Sequence, residues 1–288
     1  MQLVNGLQLG AIYALMALGY TMVYGILKLI NFAHGDLLMI GAYSAYFLVI
    51  AGLHISIAFL AAMVICGASA ILMDKLAYKP LRSQPRLKAL ITAMGVSLLI
   101  ENGSRMIPFI GPNFRRFPDV VTLKSFYITE NIVLTNIQLF NLGLAVFLMI
   151  ALSLVIKKTK IGIAMRAVSL DQKAARLMGI NVENVIAATF AIGGALAGTA
   201  GVMTAITYPR LSPYMGIMPG LKAFVAAVFG GIGSIPGAMV GGILMGIVET
   251  AATAFHSQIA EGVFFLVLLL VLLVRPFGLL GKSTKEKV

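Results

Sequence analysis

Long apolar runs alternate with short polar breaks along almost the whole chain. Nine runs stand out, at 3–26, 34–53, 55–73, 88–110, 137–156, 185–207, 218–232, 236–256 and 262–276. About 20 mostly apolar residues cross the roughly 30 Å hydrocarbon core of a bilayer as a helix. Runs of this length are too long for strands, and helices satisfy their own backbone hydrogen bonds inside lipid. The pattern predicts an all-α, polytopic helical membrane protein of eight or nine transmembrane helices, a single domain over 1–288.

Two longer polar stretches interrupt this rhythm. In 111–136, Pro112 and Pro118, with Pro108 just before, break the helix. Residues 120–135 then mix β-branched, aromatic and polar side chains in the manner of a small hairpin. The stretch reads as a plain connector or as part of a surface that receives a soluble partner. The other stretch, 157–184, is a polar island holding the short helical pattern Ala174-Ala175-x-x-x-Gly179. Small residues at that spacing let another protein's backbone approach closely, and Arg166, Lys173 and Arg176 surround them with charge. Such an island in a lipid-embedded chain predicts a cytoplasmic docking element. Two further places are ambiguous in this pattern: the 27–36 break and the short 218–232 run are either turns and spans or intramembrane irregularities.

Composition supports the membrane reading. Hydrophobic residues make up 60% and charged residues 11% of 288, against about 25% charged in soluble domains; the mean hydropathy is +0.98. A net charge of +12 raises nucleic acid as a partner, but its distribution argues against that. Fifteen of the 22 basic residues fall in three places: Lys75 to Lys88, the 157–184 island, and the last segment with Arg275, Lys282, Lys285 and Lys287. By the positive-inside rule all three lie in the cytoplasm. The C-terminus is then cytoplasmic and the N-terminus outside, with 111–136 on the outer face. The first apolar run has no basic stretch before it, so it is expected to span rather than to be a cleaved signal.

Catalytic and metal-binding chemistry find no foothold. Lone Cys66 allows no internal disulfide, and no Ser-His-Asp set, HExxH or paired-carboxylate constellation stands out. The Gly281-Lys282-Ser283-Thr284 segment lacks the first glycine of a P-loop, having Pro276 there. No enzyme activity, cofactor or metal is expected. Small-x-x-x-small pairs (Gly6/Gly10, Gly194/Gly198, Gly237/Gly241, Gly242/Gly246) predict close helix packing. A faint likeness between 35–41 and 236–242 hints at an internal repeat.

Ionisable and polar residues inside apolar runs are functional candidates by default. Tyr13, Tyr20 and Tyr24 share one helix face, while Asn31, His34 and Asp36 lie at the first break. His34 and Asp36 either cap the next helix or line a gate. Glu101 is expected to pair with Arg105 one turn on, and Glu249 to reach water near the outer end of its run. Each admits a structural reading beside that of a translocation pathway. If Glu101 or Glu249 couples ions, the chain is instead a secondary transporter.

Three stretches together resemble one family: 19–43 (GYTMVYGILKLINFAHGDLLMIGAY), 166–181 (RAVSLDQKAARLMGIN) and 224–242 (FVAAVFGGIGSIPGAMVGG), with the tail 275–282 also fitting. They are similar to the LivH-type permease of branched-chain amino acid ABC importers, over essentially the whole chain. The resemblance implies an ABC importer permease fold in a bacterial inner membrane. It also implies a LivM-like second permease, two cytoplasmic ATPase subunits and a periplasmic substrate-binding protein delivering leucine, isoleucine or valine. It makes the island the ATPase-coupling loop, with Arg166, Asp171, Lys173, Ala174, Ala175, Arg176 and Gly179. Lys173 stands where the wider EAA-x-x-x-G pattern has an acid; Asp171 is two residues earlier. Related permeases carry urea or short amides, which remains the alternative substrate.

Overall fold

The computed structural model describes residues 2–82, 84–129 and 132–281. Lys282, Lys285, Lys287 and the Ser283-Thr284 end of the P-loop lookalike lie outside the described residues. All nine apolar runs are helices. In chain order these are α1 (Gln2–Leu27), α2 (His34–Ile50), α3 (Ile55–Met73) and α4 (Arg86–Met106), then α5 (Asn136–Lys158). Two short helices follow in the polar island, α6 (Lys160–Leu170) and α7 (Gln172–Leu177), and then α8 (Val182–Thr207), α9 (Ile217–Gly230), α10 (Ile235–Phe255) and α11 (Ala260–Val274). The 111–136 stretch holds β1 (Arg115–Arg116) and the expected hairpin, β2 (Ser125–Thr129) with β3 (Ile132–Thr135). Strand β4 (Arg210–Leu211) pairs with β1, tying the segment after α8 to this loop.

Length separates the helices into classes. Five are long and apolar enough to cross a membrane: α1, α3 with its extension to Leu81, α5, α8 and α10. At 1.5 Å per residue, the 17, 15 and 14 residues of α2, α11 and α9 reach only about 26, 23 and 21 Å. That is short of a full hydrocarbon core. Helix α4 carries Arg86, Lys88, Glu101 and Arg105 and is less apolar than the rest. The structure therefore supports a helical membrane protein with five full-length candidate spans.

Boundaries follow local chemistry. Thr135 and Gln138 form a capping box at α5, and Asn181 and Ser234 accept from backbone N–H groups at the starts of α8 and α10. Pro236 sits in the first turn of α10, where its missing N–H costs nothing. At α2 the N-cap is Ala33, with no side-chain cap bond, so neither His34 nor Asp36 caps it.

Glycines bring the long helices to backbone contact. Helix α1 runs antiparallel to α10, with Gly6 and Gly10 against Gly246, Ile247 and Ile243; a Cβ on Gly10 would lie 2.7 Å from the Ile243 Cα. Helix α8 lies antiparallel to α3, with Gly194 and Gly198 against Cys66. The Cys66 thiol donates to the Leu37 carbonyl at 3.3 Å. The packing pairs match in two sets. Helices α1 to α4 correspond to α8 to α11: α1 on α10 mirrors α8 on α3, α2 on α8 mirrors α9 on α1, and α2 on α4 mirrors α9 on α11. Helices α1 and α8 are themselves antiparallel, with Gln8 bonded to Thr207 and Gly19 beside Gly193. The repeat is thus inverted, and the partner of α2 is α9; the faint likeness of 35–41 to 236–242 pairs the wrong helices. The first turns of α2 and α9 meet at Gly35, Gly216 and Gly220, where no Cβ fits.

Candidate functional site

The polar island folds into two short helices held by side-chain caps. Thr159 accepts from the Gly162 N–H at 3.2 Å, and Gly162 packs against the Val155 and Ile156 carbonyls so that α6 turns back on α5. Asp171 accepts from the Lys173 and Ala174 N–H groups at 2.7 and 3.0 Å, so it starts α7. Gln172 donates to the Ile26 carbonyl at 3.0 Å, attaching α7 to the end of α1. Gly179 stops the helix at φ +81°, with the Ile180 N–H reaching back to the Ala175 carbonyl at 3.0 Å.

The expected contact residues differ in exposure. Ala175 is 4% exposed and faces this chain's own body. Gly179 has open space where a Cβ would project, so its backbone conformation, not close packing within this chain, explains the glycine. Ala174 and Lys173 are exposed, as expected. Leu170, Leu177 and Met178, overlooked in the sequence, project most, at 88%, 88% and 81% exposure. Their signal was present: three large apolar side chains in a polar island have no lipid reason to be there. Arg166 reaches the Lys157 carbonyl at 3.4 Å, and Arg176 lies 3.6 Å from Glu183.

The interior candidates fall into two groups. At the start of α2, the Asn31 side-chain Oδ1 accepts from the Tyr78 hydroxyl at 2.5 Å, and the Tyr20 and His34 rings meet edge-on at 4.7 Å. Buried Asp36 lies beside Ser97 and Glu101 of α4, and Ser97 donates to Glu101 at 3.3 Å. Among the described residues, Asn31 Nδ2, His34 Nε2 and Asp36 Oδ2 find no hydrogen-bond partner. Arg105 does not neutralise Glu101: it donates instead to the Tyr214 hydroxyl at 2.6 Å, and its guanidinium lies over that ring.

The second group joins α1, α9, α10 and α11. Glu249 accepts from the Tyr13 hydroxyl at 2.8 Å and from Lys222 at 2.6 Å. Its side chain is 13% exposed, so it is a largely buried ion-pair partner. Lys222 also faces Glu261 at 3.8 Å. A lone lysine in the 218–232 run was the signal for this site. Tyr24 belongs to neither group and lies under Lys28, 5.8 Å from its ring.

A family model for the permease component of branched-chain amino acid transport systems matches residues 2–273. The chain is 42% identical over 303 positions to the Escherichia coli K12 high-affinity branched-chain amino acid transport system permease LivH, covering 100% of this chain and 97% of that one. It is 41% identical over 305 positions to the corresponding Pseudomonas aeruginosa permease BraD, with 100% and 97% covered. A probable branched-chain amino acid transport permease of Methanocaldococcus jannaschii is 29% identical, with 94% and 89% covered. No solved structure matches. With the match running through both inverted halves and the polar island, this chain belongs to the family of branched-chain amino acid transport permeases.

Proposed function

We propose that the chain is the membrane-spanning subunit of an importer of leucine, isoleucine and valine, driven by ATP hydrolysis on separate chains. Helix α7 carries this reading: a capped, six-residue helix exposes Ala174 and Leu177 in a polar island, flanked by Leu170 at the end of α6 and Met178 just past its own end. That exposed apolar knob, ringed by Arg166, Lys173 and Arg176, suits the groove of an ATPase partner. Asp171, Ala175 and Gly179 act behind it by setting the shape of α7.

In this reading two ATPases, a second permease of LivM type and a periplasmic binding protein complete the assembly in a bacterial inner membrane. All eight or nine apolar helices cross, the three short ones included, with the C-terminus cytoplasmic. The binding protein supplies most of the selectivity, and the hairpin loop forms part of its landing surface. The pathway then needs only to pass a zwitterion. Asn31, His34, Asp36 and Glu101 supply polar groups where α2 begins, with Tyr20 beside them. Tyr13 of the first half and Glu249 of the second meet across the boundary between the halves, and Tyr24 lies toward the α1 end. Alternation between the halves moves the opening from one side to the other.

Purification of the tagged chain from its native membrane with co-purifying proteins, followed by reconstitution in liposomes, tests the proposal. ATPases and a second permease are expected, with leucine uptake that needs ATP and no ion gradient. Uptake that follows an ion gradient without ATP would sink it. Competition by urea or short amides, but not by leucine, would move the substrate while keeping the motor.

A further inference from the structure

Helix α3 does not end in ordinary α-helical turns. It passes through a π turn, Asp74–Tyr78, and then a 3-10 turn, Lys79–Leu81. π turns are rare and cluster at functional positions in helices. This one carries two buried polar side chains, Asp74 and Tyr78, at 2% and 1% exposure, and each reaches outside the helix. Arg82 Nη2 donates to both carboxylate oxygens of Asp74, at 2.5 and 2.7 Å. Its other terminal nitrogen donates to Glu183 of α8 at 2.8 Å. Glu183 in turn faces Arg176 of α7. On the far side of the π turn, Tyr78 donates to Asn31, in the link between α1 and α2.

Polar contacts therefore run from the exposed helix α7 to Asp74 at one end of the π turn, and from Tyr78 at its other end to Asn31 beside the start of α2. Their stiffness is graded. The Arg82–Asp74 side chains are 16% and 3% exposed, and burial spares such a pair most of the screening that loosens exposed ones. The Arg176–Glu183 contact is 62% and 41% exposed, where water screens and loosens ion pairs. A tight inner clamp with a compliant outer link suits a part that must follow an external helix without being torn from the π turn.

We propose that Glu183, Arg82 and Asp74 are positioning residues that carry movement of α7 to the π turn of α3 and, through Tyr78, to the start of α2. The proposal rests on the reading of α7 as the ATPase contact. None of the three need touch substrate or nucleotide.

The test uses the reconstituted complex with its ATPases, reading ATP hydrolysed and radiolabelled leucine taken up in the same vesicles. Glu183→Gln keeps the shape of a half-exposed side chain and is expected to assemble. Leucine taken up per ATP should fall roughly two- to thirtyfold, the range that residues along a coupling path command. Asp74→Asn should fall similarly, the double variant should fall no further than the worse single one, and Glu183→Asp should recover most of the ratio. An unchanged ratio, additive losses, or hydrolysis and uptake falling in equal proportion would overturn the proposal; the last marks a merely structural contact. If the ATPases fail to co-purify with the unaltered chain, the reading of α7 falls, and this proposal with it.

Discussion

Lys222 and Glu249 meet at 2.6 Å with side chains 9% and 13% exposed, and Tyr13 supplies the carboxylate with a second donor. Removing one partner strands the other charge in a poorly solvated place, which in proteins costs about 3–5 kcal/mol. Lys222→Met is therefore expected to lower the thermal stability of the detergent-solubilised protein sharply. The double change with Glu249→Gln should regain much of the loss, as followed by size-exclusion melting curves. The sequence marked Glu249 as unusual but not its partner, because Lys222 comes from a different helix 27 positions earlier. Arg105 teaches the same lesson in reverse. Spacing alone makes Glu101 its neighbour, yet the guanidinium finds Tyr214, 109 residues away. Local periodicity tells which side chains share a face, and only tertiary packing tells which of them is used.

At the scale of elements, α7 is too short to hold itself together, since isolated helices below about 12 residues are marginal in water. Its caps do that work. Asp171→Ala should cost about 1 kcal/mol of local stability, visible as faster amide exchange over 172–178, with uptake reduced and assembly retained. Gly179→Ala forces a side chain into φ +81°, at a cost of about 1–2 kcal/mol, and should loosen the same segment. Leu177→Asp leaves both caps intact and should instead weaken ATPase co-purification; full retention would remove Leu177 from the contact. The nine apolar runs, the hairpin and the short helix of the polar island were all legible, because each rests on a period or a cap within a short window. The division between knob and support was not. Ala174 and Ala175 look equivalent in the sequence, and the rotation of a single residue about the helix axis buries one and exposes the other.

Over the whole molecule, two inverted sets of four helices pack through matching contacts, a symmetry invisible in the sequence because glycine seams and helix lengths carry it rather than residue identity. The proposed sidedness can be read chemically. Tyr127 and Leu177 are 77% and 88% exposed, while Cys66, the chain's single thiol, is fully buried. Tyr127→Cys should react with an impermeant maleimide on intact cells, Leu177→Cys only after permeabilisation, and the unaltered chain in neither case. The reverse order would invert the topology. The glycine seams carry one more consequence. Where Gly6 and Gly10 of α1 meet Gly246 and Gly242 of α10, backbone bears on backbone with few interlocking side chains between. Such a contact has few rotamers to flip when one helix slides or turns against the other, so it behaves as a bearing with low friction. The charged clamps, Lys222 with Glu249 and Arg82 with Asp74, are contacts of the opposite kind, directional and tight, as a detent is beside a bearing.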